Sequence, residues 1–451
     1  MLRLKIIALA TVLVAGAVAM PVVPARAAMT AFVELSRPQS DDMGRYVGLR
    51  QEATKPVMGF VAAGSGLRSV MVNGSPAYVF PTRYRPLGAP EGMSEFGFRV
   101  PLVLEPGDPL NVVVTGADGD SRDFVFQPDT GEALARLRAL RAERREAFYD
   151  LRLANALAAE EDYGEAFPLF DSFAVAEPGF VFGPFFEGLA FEDDDDDFDA
   201  LRFFRRTVDL DDAFIPGHLE LGDEFVRTRD FDRAEREFGT VLRRNPDLAE
   251  AHFRLGEALS ARGDFRNAQK ELNQAVSVNP TMAPAHFALG RALAAQGRNE
   301  DASRAFSEAL RVNPKFSAAY HNMGALSQEQ GNLGQATEQY QNALRLNPSS
   351  APAHYGLGTV MQKQGNTEGA ANEFGKAMQL NPRMGEAYHG MAQTMYQRGA
   401  YGAAWNNLHQ AQQLGIQPDR GFVSQLRTKM PEPQMQMRPA TPMGAGHMKY
   451  R

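Results

Sequence analysis

The sequence predicts a mainly α fold: a superhelix of about eight helix-turn-helix repeats, preceded by a small antiparallel β-sandwich domain. Three observations carry this. Asn-Pro pairs at Asn245-Pro246, Asn279-Pro280, Asn313-Pro314, Asn347-Pro348 and Asn381-Pro382 recur every 34 residues. With Pro set at position 32 of a unit, position 20 is Ala in eight consecutive units, from Ala166 to Ala404. Residues 30–128 follow a different grammar, in which short runs of β-formers alternate with turn residues. A fixed period of this length is the mark of stacked repeats, each unable to bury its apolar face alone.

Taken in order, residues 1–27 read as a signal peptide. Arg3 and Lys5 give a basic start, Ile6–Ala19 an apolar core, and Ala25-Arg26-Ala27 a small-residue cleavage pattern. Pro21 and Pro24 interrupt the apolar run before it reaches membrane length. The expected location is periplasmic or secreted, with no stable membrane span after cleavage. Cleavage removes Arg3, Lys5 and Arg26, so a net charge of −8 becomes −11. The mixed charge argues against a general nucleic-acid binder. The chain has no cysteine, which removes disulfides, thiolate metal sites and a cysteine nucleophile.

Residues 28–130 form the β-domain. Strands are expected at Ala31–Leu35, Val57–Ala62, Leu67–Asn73, Ala77–Phe80, Glu95–Val103, Leu110–Thr115 and Asp123–Gln127. Asn73-Gly74 is a two-residue hairpin signal, Ala117–Asp120 a second turn, and Pro81–Met93 a long loop. The fragments Val70–Ala77, Phe96–Leu102 and Asn111–Thr115 resemble, in their order, bacterial immunoglobulin-like modules of envelope and secreted proteins. That resemblance implies a spacer or docking module, with glycan contact as the alternative.

Residues 131–146 make a linking helix. Ala133, Leu134, Leu137 and Leu140 form its apolar stripe, Arg136, Arg138, Arg141, Arg144 and Arg145 surround it, and Asp129 and Thr130 are candidate N-caps. It is expected to run straight into the first repeat through Phe148 and Leu151. A basic docking surface is the sharper reading of its arginines.

The eight repeats span residues 147–418 and begin at Ala147, Val181, Ile215, Ala249, Ala283, Ser317, Ala351 and Gly385. Position 8 is Gly in six consecutive units, from Gly188 to Gly358, and position 24 is large and apolar in all eight. Small residues let two helices cross closely while bulky ones fill the space around the crossing. Pro at position 32 stops the second helix. Gly263, Gly297, Gly331 and Gly365 suit C-caps between the two helices. These positions together resemble the tetratricopeptide repeat family. The end units depart from the pattern, as end units facing water do. Residues 419–430 read as a capping helix and 431–451 as a disordered tail.

Chemistry is sparse. His218, His252, His286 and His354 recur at position 4. One per stacked repeat, they lie too far apart to share an ion, so packing is the expected role. The acidic run Asp193–Asp197 falls on an inter-helix turn and lacks the spacing of a calcium loop. Met435, Met437, Met443, His447 and Met448 stand in the tail, whose composition is that of a disordered end although such ligands suit Cu(I). There is no nucleophile elbow, metalloprotease motif or phosphate loop, and no cofactor is implied.

The family resemblance places positions 2, 5, 9, 12 and 13 in a groove lined by the first helices. The candidate groove residues are Leu219, Asp223, Phe253, Glu257, Phe287, Arg291, His321, Gln328, Tyr355, Thr359, Gln362, His389, Gln393 and Tyr396. A row of rings with polar neighbours suits an extended peptide. Position 6 lacks the Lys/Asn set of a carboxylate clamp. The expected function is a non-enzymatic scaffold for a protein or peptide partner. An envelope-glycan protein is the alternative, and self-association is a further use of such a superhelix.

Overall fold

The computed structural model describes residues 31–37, 45–46, 56–63, 67–82, 93–101, 110–128, 130–144 and 146–433. The signal segment, residues 83–92 of the long loop, Asp129, Arg145 and the tail from 434 lie outside the described residues. The chain divides into two compact units, Met1–Pro314 and Lys315–Arg451.

Among the described residues the first unit opens with nine strands: β1 (Ala31–Arg37), β2 (Arg45–Tyr46), β3 (Pro56–Ala63), β4 (Leu67–Val72), β5 (Ser75–Pro76), β6 (Tyr78–Pro81), β7 (Ser94–Pro101), β8 (Leu110–Gly116) and β9 (Ser121–Pro128). They form two sheets, ordered β1-β3-β7-β6 and β2-β9-β8-β4-β5. All pairings are antiparallel except β2 with β9. Asn73 and Gly74 take φ of 47° and 81°, the double positive turn that the hairpin signal demands. Val57, Val61, Phe98 and Val100 from one sheet meet Val70, Val72, Val112, Val114 and Phe126 from the other in a dry core. Strand alternation then sends Met58, Phe60 and Arg99 out of the opposite face of β3 and β7.

Helix α1 (Thr130–Glu143) follows, with Ala133, Leu137 and Leu140 buried along its stripe. It does not run on into the first repeat. Glu146 is extended, with φ −91° and ψ 137°, and a new helix starts after it. Two arginines of α1 pair with the first repeat: Arg138 with Glu165 at 2.7 Å and Arg141 with Asp150 at 2.5 Å. Arg144 lies over the Tyr149 ring. A lead-in helix tied to the first repeat explains them better than a docking surface does.

Five helix pairs complete this unit: α2 (Ala147–Ala159) with α3 (Tyr163–Ala176), α4 (Phe182–Asp193) with α5 (Asp197–Leu210), α6 (Ile215–Arg227) with α7 (Phe231–Arg244), α8 (Ala249–Arg262) with α9 (Phe265–Val278), and α10 (Ala283–Ala295) with α11 (Asn299–Val312). The second unit holds α12 (Ser317–Glu329) with α13 (Leu333–Leu346), α14 (Ala351–Lys363) with α15 (Thr367–Leu380), α16 (Gly385–Gln397) with α17 (Tyr401–Gln413), and α18 (Arg420–Lys429). The period thus gives the pairs almost to the residue. Among the described residues no helix is long and apolar enough to cross a membrane.

Local chemistry explains the period. Ala at position 20 is fully buried in all eight repeats. A Cβ on the position-8 glycine would strike the position-24 side chain of the same repeat: Gly222 faces Phe238 at 2.5 Å and Gly290 faces Phe306 at 2.5 Å. The Asn before each Pro is pushed into extended backbone, for example φ −125° and ψ 89° at Asn279. Its side chain then closes an Asx turn: Asn347 Oδ1 accepts from Ser349 N at 3.1 Å and Asn381 Oδ1 from Arg383 N at 3.0 Å. Asp211 does the same for Ala213 N where the Asn-Pro pair is missing. The glycines between helices are left-handed, with Gly263 at φ 91°. In the first three repeats that place is filled by Glu161, Asp195 and Arg229 at φ of 59–63°. In the second unit α18 seals the last pair: Phe422 and Leu426 join Trp405 and Leu408, and Trp405 Nε1 donates to the Met430 carbonyl at 3.0 Å.

Candidate functional site

The position-4 histidines are cross-braces. His218 Nδ1 lies 2.7 Å from Glu237 Oε2, and its Nε2 lies 2.8 Å from the Asp212 carbonyl. His252 repeats this with Glu271 and the Pro246 carbonyl, and His354 with Glu373 and the Pro348 carbonyl. His286 keeps only the Pro280 carbonyl among these partners, because Ala305 stands where the others have Glu. The rings of His218, His252 and His354 each tie a second helix to the turn before their own repeat. Among the described residues no group of three His, Asp or Glu side chains is placed to hold a metal ion.

The acidic run is also structural. Asp195 supplies the left-handed residue, and Asp196 caps α5 by accepting from Asp199 N at 3.1 Å. Arg227, one repeat on, contacts Asp197 and lies 3.0 Å from Glu224 and 3.9 Å from Glu192. Burial pushes the Glu224 carboxyl up to about 8; Arg227 pulls it down, while Glu192, Asp197 and Glu220 add to the rise. The unfolded chain releases this proton near 4.5, so stability falls as pH rises between about 4.5 and 8, then levels off. Glu224→Gln removes the ionisation. It is expected to leave the denaturation midpoint near wild type at pH 5 and to raise stability at pH 9 by about 1–2 kcal/mol, a figure discounted for solvent screening. Equal midpoint shifts at the two pH values would contradict this.

The expected groove does not lie open along its whole length. In the first unit the outer face of the β1-β3-β7-β6 sheet packs on the first helices of repeats two to four. Phe60 meets Phe182 edge to face at 5.1 Å and Phe186 at 6.4 Å. Phe80 stacks on Phe182 at 6.3 Å and meets Phe214 edge-on at 5.8 Å. Ser75 Oγ reaches the Thr281 carbonyl at 3.5 Å.

Arg99 is the centre of this contact. It is 0% exposed, donating from Nη1 to Glu220 Oε1 at 2.6 Å and from Nε to Glu250 Oε1 at 2.8 Å. Burial works against its charge, but Glu220 and Glu250 outweigh that and hold the guanidinium above its usual value. Behind it Arg254 pairs with Asp223 at 2.5 Å and approaches Glu250 at 3.5 Å. Burial raises Asp223 well above the usual carboxylate range, against the pull of Arg254. Burial likewise raises Glu257, with Arg254 and Arg291 opposing.

This corrects the groove at its N-terminal end. Leu219 is 0% and Phe253 7% exposed, so neither lines an open surface. Asp223 and Glu257 belong to the charge network beside Arg99. Phe287 stays half-buried against Phe306, centroids 5.6 Å apart, with the exposed Arg291 beside it at 6.0 Å. Sequence reasoning missed Arg99, Glu220 and Glu250 as a set. The available signal was the unbroken apolar run of Pro56–Ala63, which marks a strand covered on both faces.

In the second unit the position-5 rings stand half-buried, each against an aromatic neighbour. His321 rests on Tyr340 at 5.5 Å and Tyr355 on Phe374 at 5.8 Å, both from their own repeats. His389 and Tyr396 meet Phe422 of α18 at 6.0 and 5.7 Å, so the capping helix covers part of this end. Burial lowers His321 and His389, which favours their neutral forms; Asp419 opposes this at His389. Several polar positions are engaged internally. Gln362 Nε2 donates to the Gly390 carbonyl at 3.1 Å and to Thr394 Oγ1 at 2.8 Å. Gln328 accepts from Tyr340 Oη at 3.4 Å, and Thr359 Oγ1 donates to the Tyr355 carbonyl at 2.9 Å. Gln393 is half-buried. The rings thus pack and present a face at once.

A family model, described as the C-terminal domain of cilia and flagella-associated protein 70, matches residues 190–395. No curated protein matches the chain. Among solved structures, MamA is similar at 26% identity over 36% of this chain and 95% of that one, with a TM-score of 0.34. PilF of Pseudomonas aeruginosa is similar at 23% identity over 40% of this chain and 83% of that one, TM-score 0.38. YrrB, described as a TPR protein with an unusual peptide-binding site, aligns at 18% identity over 41% and 96%, TM-score 0.34.

Proposed function

With its repeats identified as tetratricopeptide repeats, we propose that this chain is a non-enzymatic, exported scaffold that holds a protein segment on the first-helix face of its last three repeats. A fold of this type serves protein–protein interaction. The observation that carries the narrower reading is the row His321, Tyr355 and His389, each half-buried on an aromatic neighbour. Such rings give apolar contact area at low entropy cost, and neutral imidazoles and amides serve the peptide groups between. The basic start, apolar core and Ala25-Arg26-Ala27 of residues 1–27 support export to the periplasm or beyond.

The test is crosslinking and pull-down from an envelope fraction. The Tyr355→Ala/Gln393→Ala chain is expected to capture about tenfold less of the partner than wild type, as loss of a central ring does at other interfaces. Helix content by circular dichroism should stay at the wild-type level. The same partner recovered in the same yield sinks this reading.

A further inference from the structure

The rings on the last three repeats also form a row of hydrogen-bond donors. His321 Nδ1 and His389 Nε2 are buried with no hydrogen-bond partner among the described residues. The opposite nitrogens, His321 Nε2 and His389 Nδ1, are not buried in this way and bond to no described residue, so they meet solvent. A neutral imidazole keeps one N–H, and we assign it to the side where water can accept it. Burial lowers both imidazoles and so favours the neutral ring. The Tyr355 hydroxyl stands between them at the same repeat position, likewise without a partner among the described residues. These donors come one per repeat, and the repeats are closely packed. The Tyr340 ring fills the gap between α12 and α14: a Cβ on Gly324 would lie 3.0 Å from it, and one on Gly356 would strike it. Phe374 does the same between α14 and α16, 2.9 Å from a Cβ on Gly358 and 2.6 Å from one on Gly390. Packed helices lie about 8–10 Å apart, axis to axis. Polyproline II has no internal hydrogen bond and repeats its carbonyl direction every three residues, or about 9 Å. A β-strand repeats every two residues, about 7 Å, and an α-helix keeps its carbonyls for itself. Proline also adds no N–H that a row of donors would leave unmatched.

We propose that this face takes a proline-rich segment in the polyproline II conformation. Its carbonyls at i, i+3 and i+6 accept from His321 Nε2, Tyr355 Oη and His389 Nδ1, while proline rings lie on the aromatic faces between. The inference rests on the segment-binding reading of the last three repeats and narrows it to one backbone conformation.

The probe is blocked nonaproline, compared with a blocked nine-residue peptide alternating threonine and glutamine, which favours an extended strand. Calorimetry on the full chain should find nonaproline at least about tenfold tighter than the alternating peptide. Tyr355→Phe and His321→Phe keep a ring and lose a donor, so each should weaken nonaproline binding about fivefold. If His321→Phe lacks a cooperative melt, Tyr355→Phe decides. Equal binding of the two peptides, or unchanged binding by Tyr355→Phe, overturns the proposal. Tighter binding of the alternating peptide also overturns it; where that binding is lost in Tyr355→Ala, the segment-binding face stands and only the polyproline reading falls. Absence of nonaproline binding overturns it as well, and a mass by light scattering that doubles with concentration then assigns the face to a second copy.

Discussion

Arg99→Met is expected to lower the stability of the β-domain on its repeats by about 3–5 kcal/mol, the cost of taking one partner out of a buried ion set. Methionine keeps most of the stem and its apolar contacts, so the loss isolates the charge. Glu220 and Glu250 are 4% and 2% exposed, and Glu250 Oε2 already lacks a partner. Neither carboxylate has water to fall back on. Adding Glu220→Gln and Glu250→Gln to Arg99→Met should restore at least half of the loss, because neutral amides remove the uncompensated charge. The double change without Arg99→Met should itself destabilise, since the guanidinium is then the unpaired ion. Urea denaturation of the four chains, followed through a β-domain probe, gives the cycle. Additive effects, with no rescue in the triple variant, would show that Arg99 is a packing residue and that its ion pairs contribute nothing.

The repeats were legible because their constraint is local. Each Asn-Pro, each Ala at position 20 and each Gly at position 8 answers a steric demand made within one helix pair or at its exit, and that demand returns every 34 residues. The strands were legible for the same reason, through turns such as Asn73-Gly74. The docking of one domain on the other was not. Arg99 and Glu250 are 151 residues apart, and no period or spacing links them. The hint was compositional: Met58, Phe60 and Arg99 stand on the strand face that an isolated sandwich would show to water. Glu220 and Glu250 look like ordinary solvated acids of a first helix until the sheet is placed over them. The break before α2 was missed too, since nothing in residues 144–146 carries a Pro or Gly stop signal.

Phe306→Ala is expected to cost about 3–5 kcal/mol and, more tellingly, to reverse the sign of Gly290→Ala. In wild type a Cβ on Gly290 would sit 2.5 Å from Phe306 Cε1 and 2.6 Å from Cδ1. Alanine gains about 1 kcal/mol over glycine in a helix interior, but forcing a methyl against a ring in a filled core costs about 1–3 kcal/mol. The ring is 1% exposed and braced by Phe287 at 5.6 Å, so it yields little and the net effect should be a loss. Once Phe306→Ala removes the ring, the same methyl enters empty space. It then adds its helix propensity and fills part of the cavity, so Gly290→Ala should stabilise by about 1 kcal/mol. Denaturation midpoints of the four chains read both signs directly. Gly290→Ala acting in the same direction in both backgrounds would mean that glycine at position 8 answers to something other than the ring. The pairing of glycine with a large position-24 side chain in six consecutive repeats would then need a different cause.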